Sequence, residues 1–401
     1  MIFEFSRHPC WPSAMELVPR RQDRAEIAKL MAAFPVTAIL GPRQCGKTTL
    51  ARTLNADHHF DVKNPDDTAR LEQPQLALED LRGLIVIDEI QCRPDLFPLL
   101  RFLVDRDVGQ QYLILGSASR DLVRQGSETL AGRIAFHELG GFRLSDVGSE
   151  NAPTLWLRGG LPRSFLAESE EQSVVWRRQY ISTFLERDIP QLGITIPART
   201  LRRFWIMLSH YHGQLLNYSE LARSFGVSDM TIRRYCEILE GAYMVRLLTP
   251  WATNTGKREV RRPKLYLRDS GLLHALMSIE TMDQLQSSPK LAASWEGFAL
   301  ETVRRILDLE QPEPHFWRTH AGAELDLFWR SGGRRWGCEC TYQDAPRMTS
   351  SMRAALADLA LTGLWVVYPG RTAYRLAENV WVVPLRDLGP TWDYGEVPVR
   401  T

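Results

Sequence analysis

The chain has 401 residues and a formal net charge of +1, with 44% hydrophobic and 24% charged residues. That length exceeds one ordinary hydrophobic core and predicts two or three domains of a globular protein. A net charge near zero excludes a whole-chain field for nucleic acid, so any basic surface has to be local. No apolar run reaches the ~20 residues that a membrane-spanning helix needs. Met1 to Arg20 carries charges and prolines where a secretory signal needs an apolar core. A cytoplasmic location without a membrane partner is therefore expected. The cysteines, Cys10, Cys45, Cys92, Cys236, Cys338 and Cys340, form no C-x-x-C pair. Cys338 and Cys340 flank one residue of an expected strand and read as buried thiols on one face.

In chain order, residues 1–14 show no periodicity and read as an N-terminal extension, with Met15 as a natural start. From Asp23 the pattern is helical through Ile27, Leu30 and Met31, until Phe34-Pro35 stops it. Val36 to Leu40 is a short apolar run, followed by a Gly-rich turn and a helix-forming stretch from Lys47 to Leu54. Further strands are expected at His59–Val62, Leu84–Ile87 and Tyr112–Leu115, with a helix over Leu96–Val104. Apolar strands alternating with helices predict a parallel α/β sheet covered on both faces. Residues 168–245 read as almost entirely helical. Strand signals return at Lys264–Leu267 and Leu325–Trp329, and residues 290–385 alternate again.

Gly41-Pro42-Arg43-Gln44-Cys45-Gly46-Lys47-Thr48, followed by Thr49, matches G-x-x-x-x-G-K-[ST] in full, between a buried strand and a helix. The glycines let backbone amides curl around phosphates at a helix N-terminus, where the dipole favours anions. Lys47 would reach the β- and γ-phosphates of ATP, and the Thr48 hydroxyl would bind Mg²⁺. The apolar run Leu84–Ile87 carries Asp88 and Glu89 to a strand end, where ligands of α/β folds bind. Asp88 would hold the Mg²⁺ through water, and Glu89 would orient and deprotonate the attacking water. Ser117, after Tyr112–Leu115, is either a γ-phosphate sensor between the loop and Asp88 or part of an ordinary strand-to-loop turn. Arg133, in Leu130-Ala131-Gly132-Arg133, is either a surface arginine or a finger reaching into a neighbour's site. The second alternative implies a homo-oligomer, and Arg120 is another candidate.

Several strings occur in order: Pro19-Arg20, the loop at 41–49, Ile87-Asp88-Glu89-Ile90-Gln91, Leu115 to Ser119, Leu130 to Arg133, and Arg158-Gly159-Gly160-Leu161-Pro162. Together they resemble a family of prokaryotic AAA-type ATPases with a conserved C-terminal domain of unknown function. The resemblance continues through Tyr180 to Pro190, with Arg187-Asp188, to about residue 385. It implies a P-loop ATPase domain at 15–165, a helical winged-helix region at 166–285 and a small restriction-endonuclease-like α/β domain at 286–390. It implies no particular substrate.

Tyr218 to Leu239 reads as helix, turn, helix: Ala222 packs inside, Gly226 turns, and Ser228 caps the second helix. Thr231, Arg233 and Arg234 lie on its polar side, as residues that contact a DNA groove do. From Gly256 to Arg268, Lys257, Arg258, Arg261, Arg262, Lys264 and Arg268 stand against Glu259 alone and suit a basic hairpin wing beside phosphates. The alternative is a helix-turn-helix used for packing or protein contacts. In the last domain Glu296 sits on an expected helix, Asp326 and Glu339 on neighbouring expected strands. Metal-dependent nucleases of the PD-(D/E)xK type need that arrangement, but Thr341 stands at their lysine position and cannot supply its charge. The expectation is a degenerate scaffold in which Asp326 and Glu339 form a weak metal site or, equally, pair with arginines such as Arg318 and Arg334. Three functions follow: an ATP-driven machine acting on DNA, a nucleotide-gated signalling or assembly ATPase with a protein partner, and an ATP-regulated nuclease.

Overall fold

The computed structural model describes residues 17–389 apart from 107–108, 118–127, 192–195, 253–259 and 310–312. Arg21–Ala33 forms the first helix, and Phe34 ends it with extended backbone ahead of Pro35. Five strands follow: β1 (Val36–Leu40), β2 (His58–Asp61), β3 (Gly83–Asp88), β4 (Gln110–Gly116) and β5 (Ile134–Glu138). They form one sheet in the order β2-β3-β4-β1-β5, with every pairing parallel.

The residues of β1, β3 and β4 alternate between two cores. Ile39, Val86, Leu113 and Leu115 pack on one face with Leu50 and Ala51 of the helix after the Gly-rich turn. Ala38, Ile85, Ile87 and Ile114 pack on the other with Leu96 and Leu100 of the helix over Leu96–Val104. A sheet covered on both faces explains why these strands are apolar throughout. Because all five strands are parallel, the segments after β1, β3 and β4 leave from the same edge. The helix after β1 is shorter than expected, Lys47–Arg52. The edge strand β5 was not legible in advance, because it alternates with polar His137 and Glu138 and buries only Ala135.

The middle region is helical, as expected. Glu170–Thr183 runs into a π-helical turn at Phe184–Asp188, and a helix over Ala198–His210 follows. The pair Tyr218–Phe225 and Asp229–Gly241 is joined through Gly226, whose φ of 69° is left-handed and suits glycine. The Ser228 side chain accepts from the Thr231 N–H and caps the second helix. Strands β6 (Gln214–Leu215), β7 (Val245–Leu248) and β8 (Lys264–Leu267) flank this pair as an antiparallel sheet ordered β6-β8-β7.

The C-terminal part is a mixed six-stranded sheet of β9 (His315–Arg318), β10 (Glu324–Ser331), β11 (Arg334–Cys340), β12 (Gly363–Tyr368), β13 (Tyr374–Ala377) and β14 (Val380–Pro384). Its order is β13-β14-β12-β11-β10-β9. Cys338 and Cys340 are buried on one face of β11 with sulfurs 3.9 Å apart. Among the described residues, no helix is long and apolar enough to cross a membrane.

Buried ion pairs join the parts. Arg268, at the end of β8, bridges Glu138 of β5 and Glu301 on the helix Leu291–Ile306. Arg246 of β7 adds two bonds to Glu301, at 3.0 and 3.1 Å. Burial alone would raise the Glu138 carboxyl, but Arg268, Arg246 and Arg304 outweigh it and hold the group down at about 2.

Candidate nucleotide site

The Gly-rich turn is shaped by two close constraints. A Cβ on Gly41 would lie 2.0 Å from the Leu139 carbonyl oxygen, and Gly46 has a left-handed φ of 101°. Only glycine satisfies either. Lys47 begins the following helix and is 8% exposed. Its Nζ donates to the carbonyls of Gly41 and Pro42 at 2.9 and 2.8 Å, so the ammonium sits over the mouth of the loop. Arg20 braces the loop from outside, donating to the Cys45 carbonyl at 2.5 Å and the Gly140 carbonyl at 2.9 Å.

Asp88 ends β3 beside this loop. The Thr48 hydroxyl donates to its Oδ2 at 2.6 Å, and the Glu89 N–H donates to its Oδ1 at 2.8 Å. Burial pushes the Asp88 carboxyl above its ordinary value despite the Thr48 bond. Glu89 takes a left-handed backbone, φ 59°, which turns its side chain away from the strand direction. Its carboxylate pairs with Lys63 Nζ at 2.8 Å and accepts from Gln91. Burial would raise Glu89, but Lys63 and then Gln91 outweigh it and hold the carboxyl below its ordinary value. Ser117 joins this group: Gln91 donates to its Oγ at 3.0 Å, and the Oγ lies 3.5 Å from Glu89 Oε2. The Arg43 side chain pairs with Asp188 on the π-helical turn, and the Tyr180 hydroxyl donates to the Arg43 carbonyl at 3.3 Å.

Of these groups Arg20, Arg43, Gly46, Lys47, Thr48, Asp88, Glu89 and Asp188 line one cleft, together with Gln44 and Thr49. Its apolar lining is formed by Leu17, Val18, Leu50, Pro162 and Leu166. Elsewhere it presents the cations Arg20, Arg21, Arg24, Arg43, Lys47, Arg163 and Arg187 against the carboxylates Asp88, Glu89 and Asp188. An apolar slot joined to a surplus of cations fits a nucleotide with several phosphates. The Thr48 hydroxyl and Asp88 carboxylate, hydrogen-bonded to each other at the helix N-terminus, are the hard oxygen donors a Mg²⁺ ion takes.

The structure thus brings Lys47, Thr48, Asp88, Glu89 and Ser117 together. It does not bring Arg133 to them. Arg133 precedes β5 at the opposite edge of the sheet, where its carbonyl accepts from Val36 N–H at 3.1 Å and its guanidinium pairs with Asp105 at 2.5 and 3.1 Å. Arg120 lies outside the described residues, as do Lys257 and Arg258.

On the helix-turn-helix pair, Arg234 is exposed, and so are Arg261 and Arg262 before β8. Arg233 is exposed but stacks on Tyr218, 4.0 Å from the ring centroid, and the Thr231 hydroxyl lies 2.9 Å from that of Ser228. Lys264 and Arg268 do not belong to this basic surface. Arg268 is held by Glu138 and Glu301, and Lys264 is 2% exposed within the second cluster.

That cluster gathers Glu296, Asp326 and Glu339 with Glu324 around the Lys264 ammonium. Lys264 Nζ lies 3.0 Å from Glu296 and 3.2 Å from Asp326, and it also pairs with Glu324. The Cys340 N–H donates to Asp326 at 2.9 Å, and Tyr266 donates to Glu296 at 2.6 Å. Burial, then the Glu296 charge, pushes Asp326 up to about 6 although Lys264 opposes both. Thr341 lines the same cleft. Among the described residues, no group of three or more His, Cys, Asp or Glu side chains is arranged to hold a metal ion. Sequence spacing assigned Lys264 to a wing. Only the long-range placement of β8 against β10 reveals that it enters this cluster.

The complete phosphate loop, the acid at the end of the neighbouring strand and the parallel sheet behind them define a P-loop ATPase fold. Comparison with known proteins agrees. Residues 33–147 match the family model of an AAA domain. Residues 149–283 and 291–388 match two domains of unknown function, DUF8612 and DUF4143. Uncharacterised proteins of Mycobacterium bovis and Mycobacterium tuberculosis are each 50% identical over 386 residues, covering 95% of this chain and 87% of theirs. The chain belongs with them to a family of AAA-type P-loop ATPases that carry C-terminal domains of unknown function. Likenesses to solved structures are more distant. A Walker-type ATPase of Pyrococcus abyssi aligns at a TM-score of 0.44 and 13% identity, over 65% of this chain and 96% of that one. A signal-transduction ATPase with a tetratricopeptide repeat sensor from Pyrococcus horikoshii aligns at 0.25 and 12% identity, over 75% and 47%.

Proposed function

We propose that this protein is a Mg²⁺-dependent ATP hydrolase that works as a homo-oligomer in the cytoplasm and acts on or with DNA. The observation that carries the hydrolase reading is the Thr48–Asp88 hydrogen bond, which joins the two halves of the site at 2.6 Å. In this reading the amides of residues 41–49 receive the phosphates. Lys47 exchanges its two carbonyl partners for β- and γ-phosphate oxygens. Thr48 and Asp88 hold Mg²⁺, which neutralises charge on the β- and γ-phosphate oxygens when bound. Glu89 leaves Lys63, orients the attacking water and takes its proton. Ser117, linked to Glu89 through Gln91, adjusts that carboxylate as the γ-phosphate arrives. Arg133 faces outward from the far edge of the sheet and, as an arginine finger, would serve a neighbouring subunit.

The helix-turn-helix pair with its β6–β8 sheet reads as a winged helix, with Thr231, Arg233, Arg234, Lys257, Arg258, Arg261 and Arg262 as its DNA-facing set. The C-terminal sheet reads as a restriction-endonuclease-like scaffold at residues 286–390, behind an ATPase part at 15–165 and a helical part at 166–285. A specific observation favours a second reading, in which that half binds a protein partner. Arg233 is stacked on Tyr218 and Lys264 and Arg268 are buried, which thins the basic surface. An ATP-regulated nuclease with Glu296, Asp326 and Glu339 as a weak metal site is the reading least supported, since the Lys264 ammonium pairs with Glu296 and Asp326.

Steady-state ATP hydrolysis with and without duplex and single-stranded DNA, at two salt concentrations, separates these. The DNA reading expects stimulation that weakens steeply with salt. Hydrolysis indifferent to DNA contradicts it and supports a protein partner. Metal-dependent DNA cutting lost in Asp326→Ala supports the nuclease.

A further inference from the structure

Two arginines meet behind the phosphate loop, and one of them comes from the C-terminal half of the chain. Arg305 lies in the last turn of the helix Leu291–Ile306. Its guanidinium donates to the Gly141 carbonyl at 2.7 Å and the Phe142 carbonyl at 3.3 Å. Arg20 donates to the neighbouring Gly140 carbonyl at 2.9 Å and to the Cys45 carbonyl of the phosphate loop at 2.5 Å. The segment after β5 is thus clamped between the cation that braces the loop and a cation of the C-terminal half.

The clamp has little slack. The Phe142 N–H donates to the Gly160 carbonyl at 2.6 Å, and a Cβ on Gly141 would lie 2.4 Å from the Gly160 carbonyl carbon. A Cβ on Gly140 would lie 3.2 Å from the Arg305 guanidinium carbon, inside the roughly 3.5–4.0 Å of ordinary carbon contact. Arg305 lines a different cavity from the nucleotide cleft, with Pro42, Gly140, Gly141 and Phe142. Burial, then the neighbouring Arg143, brings its guanidinium down to about 10, and the carbonyls that receive it carry no full charge in return. An apolar side chain would fill the same space at lower cost, so packing alone does not account for the contact. Peptide planarity carries its effect into the loop. With the Cys45 carbonyl held toward Arg20, the Gly46 N–H of the same peptide points the opposite way.

We propose that Arg305 is a positioning residue for nucleotide binding: it fixes the Gly140–Phe142 segment, the segment fixes Arg20, and Arg20 sets the Cys45–Gly46 peptide so that its N–H receives a phosphate oxygen. The inference rests on the ATPase reading and deepens it, because it makes the C-terminal half part of the nucleotide site. The same helix carries Glu296 of the acid cluster, so the two clefts share one rigid element.

The test compares full-length wild type, Arg305→Ala, Arg305→Lys, Gly140→Ala and the double variant Gly140→Ala with Arg305→Ala. The readouts are kcat and KM for MgATP, and the affinities for ADP and for a non-hydrolysable ATP analogue. In Arg305→Ala both affinities fall together by about tenfold. KM rises to match while kcat stays within about twofold of wild type, the pattern of lost uniform binding. A packing role alone would lower stability and leave the affinities of the folded protein unchanged. Arg305→Lys keeps the charge and recovers part of the loss. Gly140→Ala, whose Cβ displaces the guanidinium, gives a smaller loss of the same kind. It adds nothing in the double variant, where there is no guanidinium to displace. Wild-type affinities in Arg305→Ala overturn the proposal, and so do additive losses in the double variant. Should Arg305→Ala fail to fold, wild-type affinities in both Arg305→Lys and Gly140→Ala overturn it. In each case nucleotide binding by the wild type leaves the ATPase reading standing. A wild type that binds neither nucleotide overturns both.

Discussion

The chain holds two charged clefts, and they are built in opposite ways. The nucleotide cleft has a surplus of cations over carboxylates. The C-terminal cluster has a surplus of carboxylates, but a lysine from another part of the fold already fills its centre. The first is completed by a ligand, the second by the chain itself. Burying unpaired charge is costly, so a cleft with a cation surplus stays open to solvent and ligand, while a buried acid cluster needs its counter-ion supplied internally.

That contrast gives graded expectations. Lys47→Ala removes the charge that meets the phosphates and should lower ATP turnover by at least ~100-fold, measured by phosphate release. Losing its bonds to the Gly41 and Pro42 carbonyls should lower stability without nucleotide by only about 1 kcal/mol. Lys264→Met should do the reverse. It leaves buried carboxylates without their cation and should cost about 3–5 kcal/mol of stability in a denaturant titration. Near-wild-type stability of Lys264→Met would show that the acids do not depend on this lysine.

Asp326 in one cleft and Glu89 in the other differ in the sign of their pH response. Asp326 is raised from its ordinary 3.8 to about 6. Between those values the folded state holds more proton at this position than the unfolded state, so its contribution to stability declines as pH rises from about 4 to 6. Asp326→Asn should remove that decline, read as the difference in stability between variant and wild type across this range. Glu89 is shifted the other way, held down chiefly by Lys63 against its burial. Lys63→Ala should therefore move the acid limb of the pH–rate profile upward and raise basal hydrolysis several-fold, since the base is no longer tied. An unchanged acid limb would mean that Lys63 does not govern Glu89 during turnover. The smallest effect is expected for Ser117→Ala. Glu89 keeps its bonds to Lys63 and Gln91 there, so kcat should fall by less than about tenfold.

The same contrast marks what could be read from the sequence. The nucleotide cleft was legible because its parts are local. A loop between strand and helix needs no knowledge of distant contacts, and Asp88 follows a strand whose apolar run announces it. The C-terminal cluster was legible only in part. Glu296, Asp326 and Glu339 followed from expected elements, but Glu324 was passed over, although it stands two residues before Asp326 and so on the same face of β10. Lys264 could not be found by spacing, because the register of β8 and its approach to β10 are long-range properties. Among basic neighbours a buried lysine looks like any other. Arg187-Asp188 was visible only as a string, since no periodicity signals the π-helical turn on which it sits.

The most direct measurement is binding and hydrolysis of MgATP by wild type and Glu89→Gln side by side. The account predicts that Glu89→Gln binds ATP as tightly as wild type and turns it over at least ~100-fold more slowly, because the loop, Lys47 and the Thr48–Asp88 pair are untouched while the base is lost. Hydrolysis by Glu89→Gln at the wild-type rate would contradict the assignment of this cleft as the catalytic site.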